Sequence, residues 1–138
     1  MNWTQKTPSY GDIIRVKVNF YHHYGIYVSD SEIIQFGLPD NSGTPSEKIC
    51  VMTTDIDVFA NGGFTETAEL DHAEKHKRRR PEDAVKIATS RIGETGYNIL
   101  NNNCEHFVND CVFGEPKSFL DEVREKIRER IHQNINKK

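Results

Sequence analysis

Two hydrophobic periods divide this chain, strand-like in its first half and helix-like in its second. Ile13-Ile14-Arg15-Val16-Lys17-Val18 alternates in part, and Tyr24-Gly25-Ile26-Tyr27-Val28 follows with β-branched and aromatic residues, so residues 13–28 read as strands. Ser29-Asp30-Ser31 is a turn, and Glu32-Ile33-Ile34-Gln35-Phe36 is the returning strand of a hairpin. Residues 37–46 carry two prolines and two glycines and read as a loop, after which Ile49-Cys50-Val51-Met52 offers a short strand. Asp55 to Phe59 fits neither period, and Asn61-Gly62-Gly63 is another turn.

The helical pattern begins after a basic run, Lys75 to Arg80. A helix is predicted from about Glu82 to Ile92: Pro81 suits its first turn, Ala84, Val85, Ala88 and Ile92 share a face, and Gly93 stops it. Asn101-Asn102-Asn103 forms a polar cap region for a second helix, Cys104 to Phe113, which ends at Gly114. A last amphipathic helix is expected at about 118–135, capped by Ser118 and Asp121, with Leu120, Val123, Ile127 and Ile131 as a narrow stripe. Strands first and helices after predict an α+β fold, an antiparallel sheet packed against helices. No internal repeat interrupts it, and 138 residues suit one domain over residues 1–138.

Composition narrows the function. Hydrophobic residues make up 36% and charged residues 28%, with a net charge of -3 that lacks the basic surplus of a nucleic-acid binder. The first residues contain no apolar stretch of a secretory signal, and no run reaches the roughly 20 apolar residues of a membrane span. Three cysteines without regular spacing, Cys50, Cys104 and Cys111, read as free thiols in a reducing cytoplasmic setting.

Cys104 stands where the asparagines meet the apolar-periodic run, at a helix N-terminus. Unpaired N–H groups and the helix dipole there favour a thiolate, and the same N–H groups would face a developing oxyanion. His106 is not its base, because two residues along a helix is about 200° of rotation. Cys111 is not its disulfide partner, because seven residues rise about 10.5 Å, beyond the ~7 Å reach of a bridge. The better base lies in the hairpin. His22 and His23 project to opposite strand faces, and His23 shares parity with Gly25 and Tyr27. With Ser29 to Ser31 as a three-residue turn, Gly25 falls opposite Gln35, which puts Gln35 diagonally from His23 on the same face. A cysteine packed over that face would complete a Cys104–His23–Gln35 constellation of nucleophile, base and orienting amide.

These segments carry a resemblance. Gly11-Asp12-Ile13-Ile14, Tyr21-His22-His23-Tyr24-Gly25-Ile26-Tyr27-Val28 and Tyr97-Asn98-Ile99-Leu100-Asn101-Asn102-Asn103-Cys104-Glu105-His106-Phe107-Val108 are similar to the lecithin retinol acyltransferase family, which includes small phospholipase/acyltransferases. The similarity runs from about residue 11 to 116, and residues 37–80 match poorly. It implies a permuted papain-like fold of the NlpC/P60 type, with Cys104 and His23 matching the family's nucleophile and base. It also implies that the thiol takes a fatty acyl group from a glycerophospholipid as a thioester and passes it to water, an amine or an alcohol. Many members carry a second histidine where Gln35 stands; a neutral amide can still orient an imidazole. The partners so implied are a phospholipid or other acyl substrate and peripheral contact with a membrane, with no nucleic acid and no cofactor or metal.

Two other enzyme or binding readings stay open on the sequence: a cysteine peptidase or amidase, and a binding module whose site has decayed. His72 and His76 have a zinc-compatible spacing but lack further ligands nearby and read as solvated. Lys75 to Arg80 serves equally as a solvated face or as a contact for anionic headgroups. The oligomeric state is left open.

Overall fold

The computed structural model describes residues 1–99, 102–115 and 126–133. Six strands form one antiparallel sheet: β1 (Asn2–Thr4), β2 (Ile13–Val18), β3 (Tyr21–Ser29), β4 (Glu32–Phe36), β5 (Val51–Thr54) and β6 (Thr65–Glu69), in the order β1-β6-β2-β3-β4-β5. The helices are α1 (Ile56–Ala60), α2 (His72–Lys77), α3 (Pro81–Ser90) and α4 (Cys104–Phe113). This is the α+β arrangement that the order of periodicities predicted.

The central meander β2-β3-β4 follows the alternation in the sequence. Asn19 makes the tight β2-β3 turn with φ 52°, a conformation asparagine tolerates better than most residues. The β3-β4 register pairs Gly25 with Gln35, Ile26 with Ile34 and Tyr27 with Ile33, as parity required. The turn itself differs from the expected three-residue loop. Ser29 pairs with Glu32, and the register shifts between Tyr27 and Ser29, so a bulge at Val28 absorbs the extra residue and leaves the rest of the hairpin in phase.

Strands β1 and β6 and helix α2 were not apparent from the sequence. β6 is polar (Thr-Glu-Thr-Ala-Glu) and buries only Thr67 and Ala68, so its period carries little hydrophobic contrast. Helix α2 lies within the charged run and is held by a reciprocal cap between Asp71 and Glu74. The short strand read at Ile49–Met52 forms two residues later, over Val51–Thr54. Of the last helix expected at about 118–135, residues 126–133 are helical, with Ile127 and Ile131 exposed; its remainder, including the proposed cap, lies outside the described residues.

The sheet buries both faces. Helices α3 and α4 cover one, setting Ala84, Ala88, Phe107, Val108 and Cys111 against Ile13, Ile26, Ile34 and Phe36. The short α1, capped by Asp55 through the Val58 N–H, covers part of the other with Phe59, which packs on Ile14, Val16 and Ile33. Phe59 lies so close to β3 that a Cβ on Gly25 would come within 2.7 Å of its Cε2 and 2.9 Å of Ile33 Cγ2. Glycine at this position is therefore a packing requirement. Gly25→Ala should destabilise the fold by about 1–3 kcal/mol, the usual scale for overpacking, measured by urea unfolding; an unchanged midpoint would contradict this packing.

Candidate active site

Helix α4 begins at Cys104 because Asn103 caps it. The Asn103 side-chain oxygen accepts from the N–H groups of Glu105 and His106, and His106 Nδ1 accepts in return from the Asn103 N–H at 3.1 Å. His106 is thus buried in the cap itself, a structural role consistent with its exclusion as the base. Gly114, with φ 72°, ends the helix as the sequence indicated.

The sulfur of Cys104 meets the sheet at a break in its hydrogen bonding. Along β3 the N–H of Tyr27 points to Asp12 on the β2 side, so the N–H of Tyr24, three residues earlier, points to the β4 side. There the pairing with β4 ends at Gly25 and Gln35. Gly37, with φ 81°, turns the chain away and gives its N–H to Cys50 instead. The N–H of Tyr24 faces the Cys104 sulfur and, with the N–H groups of Cys104 and Glu105, favours its charged form.

His23 and Gln35 lie together, fully buried. His23 Nε2 is 2.6 Å from Gln35 Oε1. Gln35 Nε2 donates to Thr54 Oγ1 at 2.6 Å, and the Thr54 hydroxyl donates to the Asp55 carbonyl at 3.0 Å. The imidazole also packs on Phe59, with ring centroids 5.3 Å apart. His22 projects the other way and is half-buried, its ring 6.4 Å from Tyr24. One expectation is corrected. Helix α4 does not pack over the face that carries His23 and Gln35: that face belongs to Phe59 and α1, whereas α4 packs on Ile26, Ile34 and Phe36. Cys104 instead reaches the backbone of Tyr24, the neighbour of His23, at the seam where β4 leaves β3.

Burial governs the electrostatics. It pushes the Cys104 thiol up to about 11, against the opposing pull of the Tyr24, Glu105 and Cys104 N–H groups. The helix terminus therefore does not outweigh desolvation, and the resting group is the thiol. Burial likewise lowers His23 to about 4, with the bond to Gln35 acting weakly the other way. Each group is thus uncharged near pH 7. Tyr21, Tyr24 and Tyr97 are all raised by burial first, with the Cys104 charge contributing. The Tyr21 hydroxyl donates to the Pro39 carbonyl at 3.0 Å.

Thr54 and the three tyrosines were not singled out by sequence reasoning. Tyr21, Tyr24 and Tyr97 lie inside two of the three segments that carried the resemblance, a signal that was available. Thr54 offered none beyond a polar residue ending a short strand. Cys50, Cys104 and Cys111 are all free thiols. Among the described residues no group of three His, Cys, Asp or Glu is placed to hold a metal ion, and His72 and His76 simply stack, with ring centroids 6.1 Å apart.

Residues 6–117 match the family described as lecithin retinol acyltransferase. Lecithin retinol acyltransferase of Bos taurus is 28% identical across 86% of this chain and 63% of its own length. That of Rattus norvegicus is 30% identical across 78% of this chain and 55% of its own. Phospholipase A and acyltransferase 3 of Mus musculus is 28% identical across 88% of this chain and 79% of its own. The chain therefore spans between 55% and 63% of these two lecithin retinol acyltransferases.

The depressed His23 makes stability pH-dependent with a definite sign. Its folded pKa of about 4 lies below the unfolded value near 6.5, so the unfolded chain binds the extra proton first and stability falls as pH drops through that window. The gap corresponds to about 3 kcal/mol once pH is below both values. In His23→Gln this component should vanish, so its unfolding free energy should decline less steeply than that of the parent between pH 6.5 and 4. Parallel curves for the two proteins would show that His23 is not buried neutral.

Proposed function

This chain belongs to the lecithin retinol acyltransferase family, and on that premise we propose a thiol acyltransferase or phospholipase A-type hydrolase with Cys104 as nucleophile and His23 as base. The observation that carries this reading is the seam itself. A helix-terminal cysteine lies against the backbone of Tyr24, the residue that follows His23 in β3, and His23 Nε2 is occupied by Gln35.

In the proposed reaction the thiol attacks the ester carbonyl of a glycerophospholipid and its proton passes to His23 Nδ1. This requires the two side chains, on opposite faces of the sheet at rest, to meet at the seam. The new carbon–sulfur bond leaves an oxyanion, which the Cys104 N–H at the start of α4 stabilises. Collapse breaks the carbon–oxygen ester bond, and the departing lysophospholipid alkoxide takes the proton from the imidazolium. The acyl-Cys104 thioester is then attacked by water, an amine or an alcohol, with His23 again the base. Gln35 holds the ring by its amide, an uncharged substitute for a second histidine.

A bilayer substrate requires contact with a membrane surface, and we assign this to peripheral approach. Two aromatic side chains project freely into solvent, Phe20 at the turn that leads into Tyr21 and His23, and Phe64 just before β6. Among the described residues no helix is long and apolar enough to cross a membrane. A reducing cytoplasmic setting is proposed to keep the thiol free.

Intact-mass measurement after incubation with phospholipid vesicles tests the reading: the protein should gain one fatty acyl mass, absent in Cys104→Ser and present in Cys111→Ala. His23→Ala should abolish acylation while His22→Ala reduces it only mildly. Gln35→Ala should slow it by about 10- to 100-fold, the scale of lost support to a reacting group, and Gln35→His should be tolerated. Acylation persisting in Cys104→Ser would sink the mechanism. No lipid adduct together with cleavage of a peptide or isopeptide substrate would favour the peptidase alternative, and failure of every substrate would favour a binding module.

A further inference from the structure

We infer that Thr54 is a positioning residue that sets the proton on His23, by fixing which end of the Gln35 amide faces the imidazole. This inference rests on the reading of His23 as the base for Cys104. Gln35 is symmetric in shape, so packing alone leaves its oxygen and nitrogen interchangeable. The polarity of the chain of bonds decides between them, and it is set at the far end. The Asp55 carbonyl can only accept, so the Thr54 hydroxyl donates its one proton there, at 3.0 Å. Thr54 Oγ1 is then left as an acceptor and takes the Gln35 amide N–H at 2.6 Å. The Gln35 carbonyl must consequently face His23, 2.6 Å from Nε2, and that nitrogen must carry the hydrogen. Nδ1 keeps its lone pair.

The reverse arrangement shows what Thr54 prevents. With the amide turned over, Gln35 would donate to Nε2, the ring proton would move to Nδ1, and the nitrogen left for the thiol would no longer be a base. Both Gln35 and His23 are fully buried, so water does not readily substitute for the missing partner. A histidine in place of Gln35 would not pose this problem in the same form, because its tautomer rather than an amide rotation would adjust. The need for Thr54 is thus tied to the amide that this chain carries.

The test reads the tautomer directly. The whole chain, labelled with 15N at histidine rings, is examined by NMR at pH 7 as parent, Thr54→Val and Thr54→Ser. His23 signals are identified by their loss in His23→Gln. The parent and Thr54→Ser should show His23 protonated at Nε2, and Thr54→Val should shift toward the Nδ1-protonated form. Cys104 acylation by phospholipid vesicles should fall by about 10- to 100-fold in Thr54→Val and return to within about threefold of the parent in Thr54→Ser. A parent already protonated at Nδ1 overturns the inference, and this holds even where Thr54→Val does not fold. So does a Thr54→Val protein with the parent's tautomer and rate. The expected tautomers with no acylation of Cys104 in any of the three would support the role of Thr54 and defeat the acyltransferase reading, which separates the two failures.

Discussion

Past the pair of Gly25 and Gln35, strands β3 and β4 stop exchanging hydrogen bonds, and the N–H of Tyr24 turns to a sulfur instead of a carbonyl. Much of the site follows from that one break. An intact ladder would have left Cys104 outside the sheet, because a paired N–H has nothing to offer it. The break requires the chain to leave β4 abruptly, which Gly37 does with a positive φ while its N–H is taken up by Cys50 on the way into β5. It also requires α4 to start at the right height on the sheet, which Asn103 and His106 secure by capping one another's backbone.

The residues on the two faces of the sheet do different jobs around this seam. Phe107, Val108 and Cys111 anchor α4 to Ile26, Ile34 and Phe36, so the cysteine is positioned by ordinary hydrophobic packing. On the opposite face Phe59 confines His23 and Gln35, and the absence of a side chain at Gly25 lets it approach. Burial from both sides leaves the thiol and the imidazole uncharged. Two neutral groups avoid the desolvation of two ions in a closed site, and on the proposed reading charge appears only as the thiol gives up its proton. In such a pair the base must present the correct nitrogen, since no resting ion pair holds the proton in place. A chain of three hydrogen bonds ending on a backbone carbonyl supplies that choice.

Much of this was legible in the linear sequence, and the reason is local. The period-two alternation of residues 13–36 set strand parity, which put His23 and Gln35 on one face and sent His22 to the other. The position of Cys104 at a helix start followed from asparagines before an apolar run, and the exclusion of His106 followed from helical rotation alone. These are properties of neighbours in the chain, where a few dihedral angles decide the outcome. The β3-β4 register survived even an error in the turn, because the bulge at Val28 compensates for the shorter loop.

What the tertiary structure decided depends on residues far apart in sequence. Thr54 is 19 positions from Gln35 and becomes its partner only because β5 pairs beside β4. Polar β6 joins the sheet between β1 and β2 through ladder bonds that leave little trace in hydrophobic pattern. The face covered by α4, and with it the route by which Cys104 reaches β3, was not fixed by the helix's own period, which says that a face is buried but not against what. Nor did a helix N-terminus determine the state of the thiol, since burial by the assembled fold outweighs it. The sequence by itself determined that Cys104 starts a helix and that His23 and Gln35 share a strand face, because side-chain identity and strand or helix parity are local. The folded chain decided their protonation and their partners, because desolvation and hydrogen-bond polarity are set by whatever packs around them.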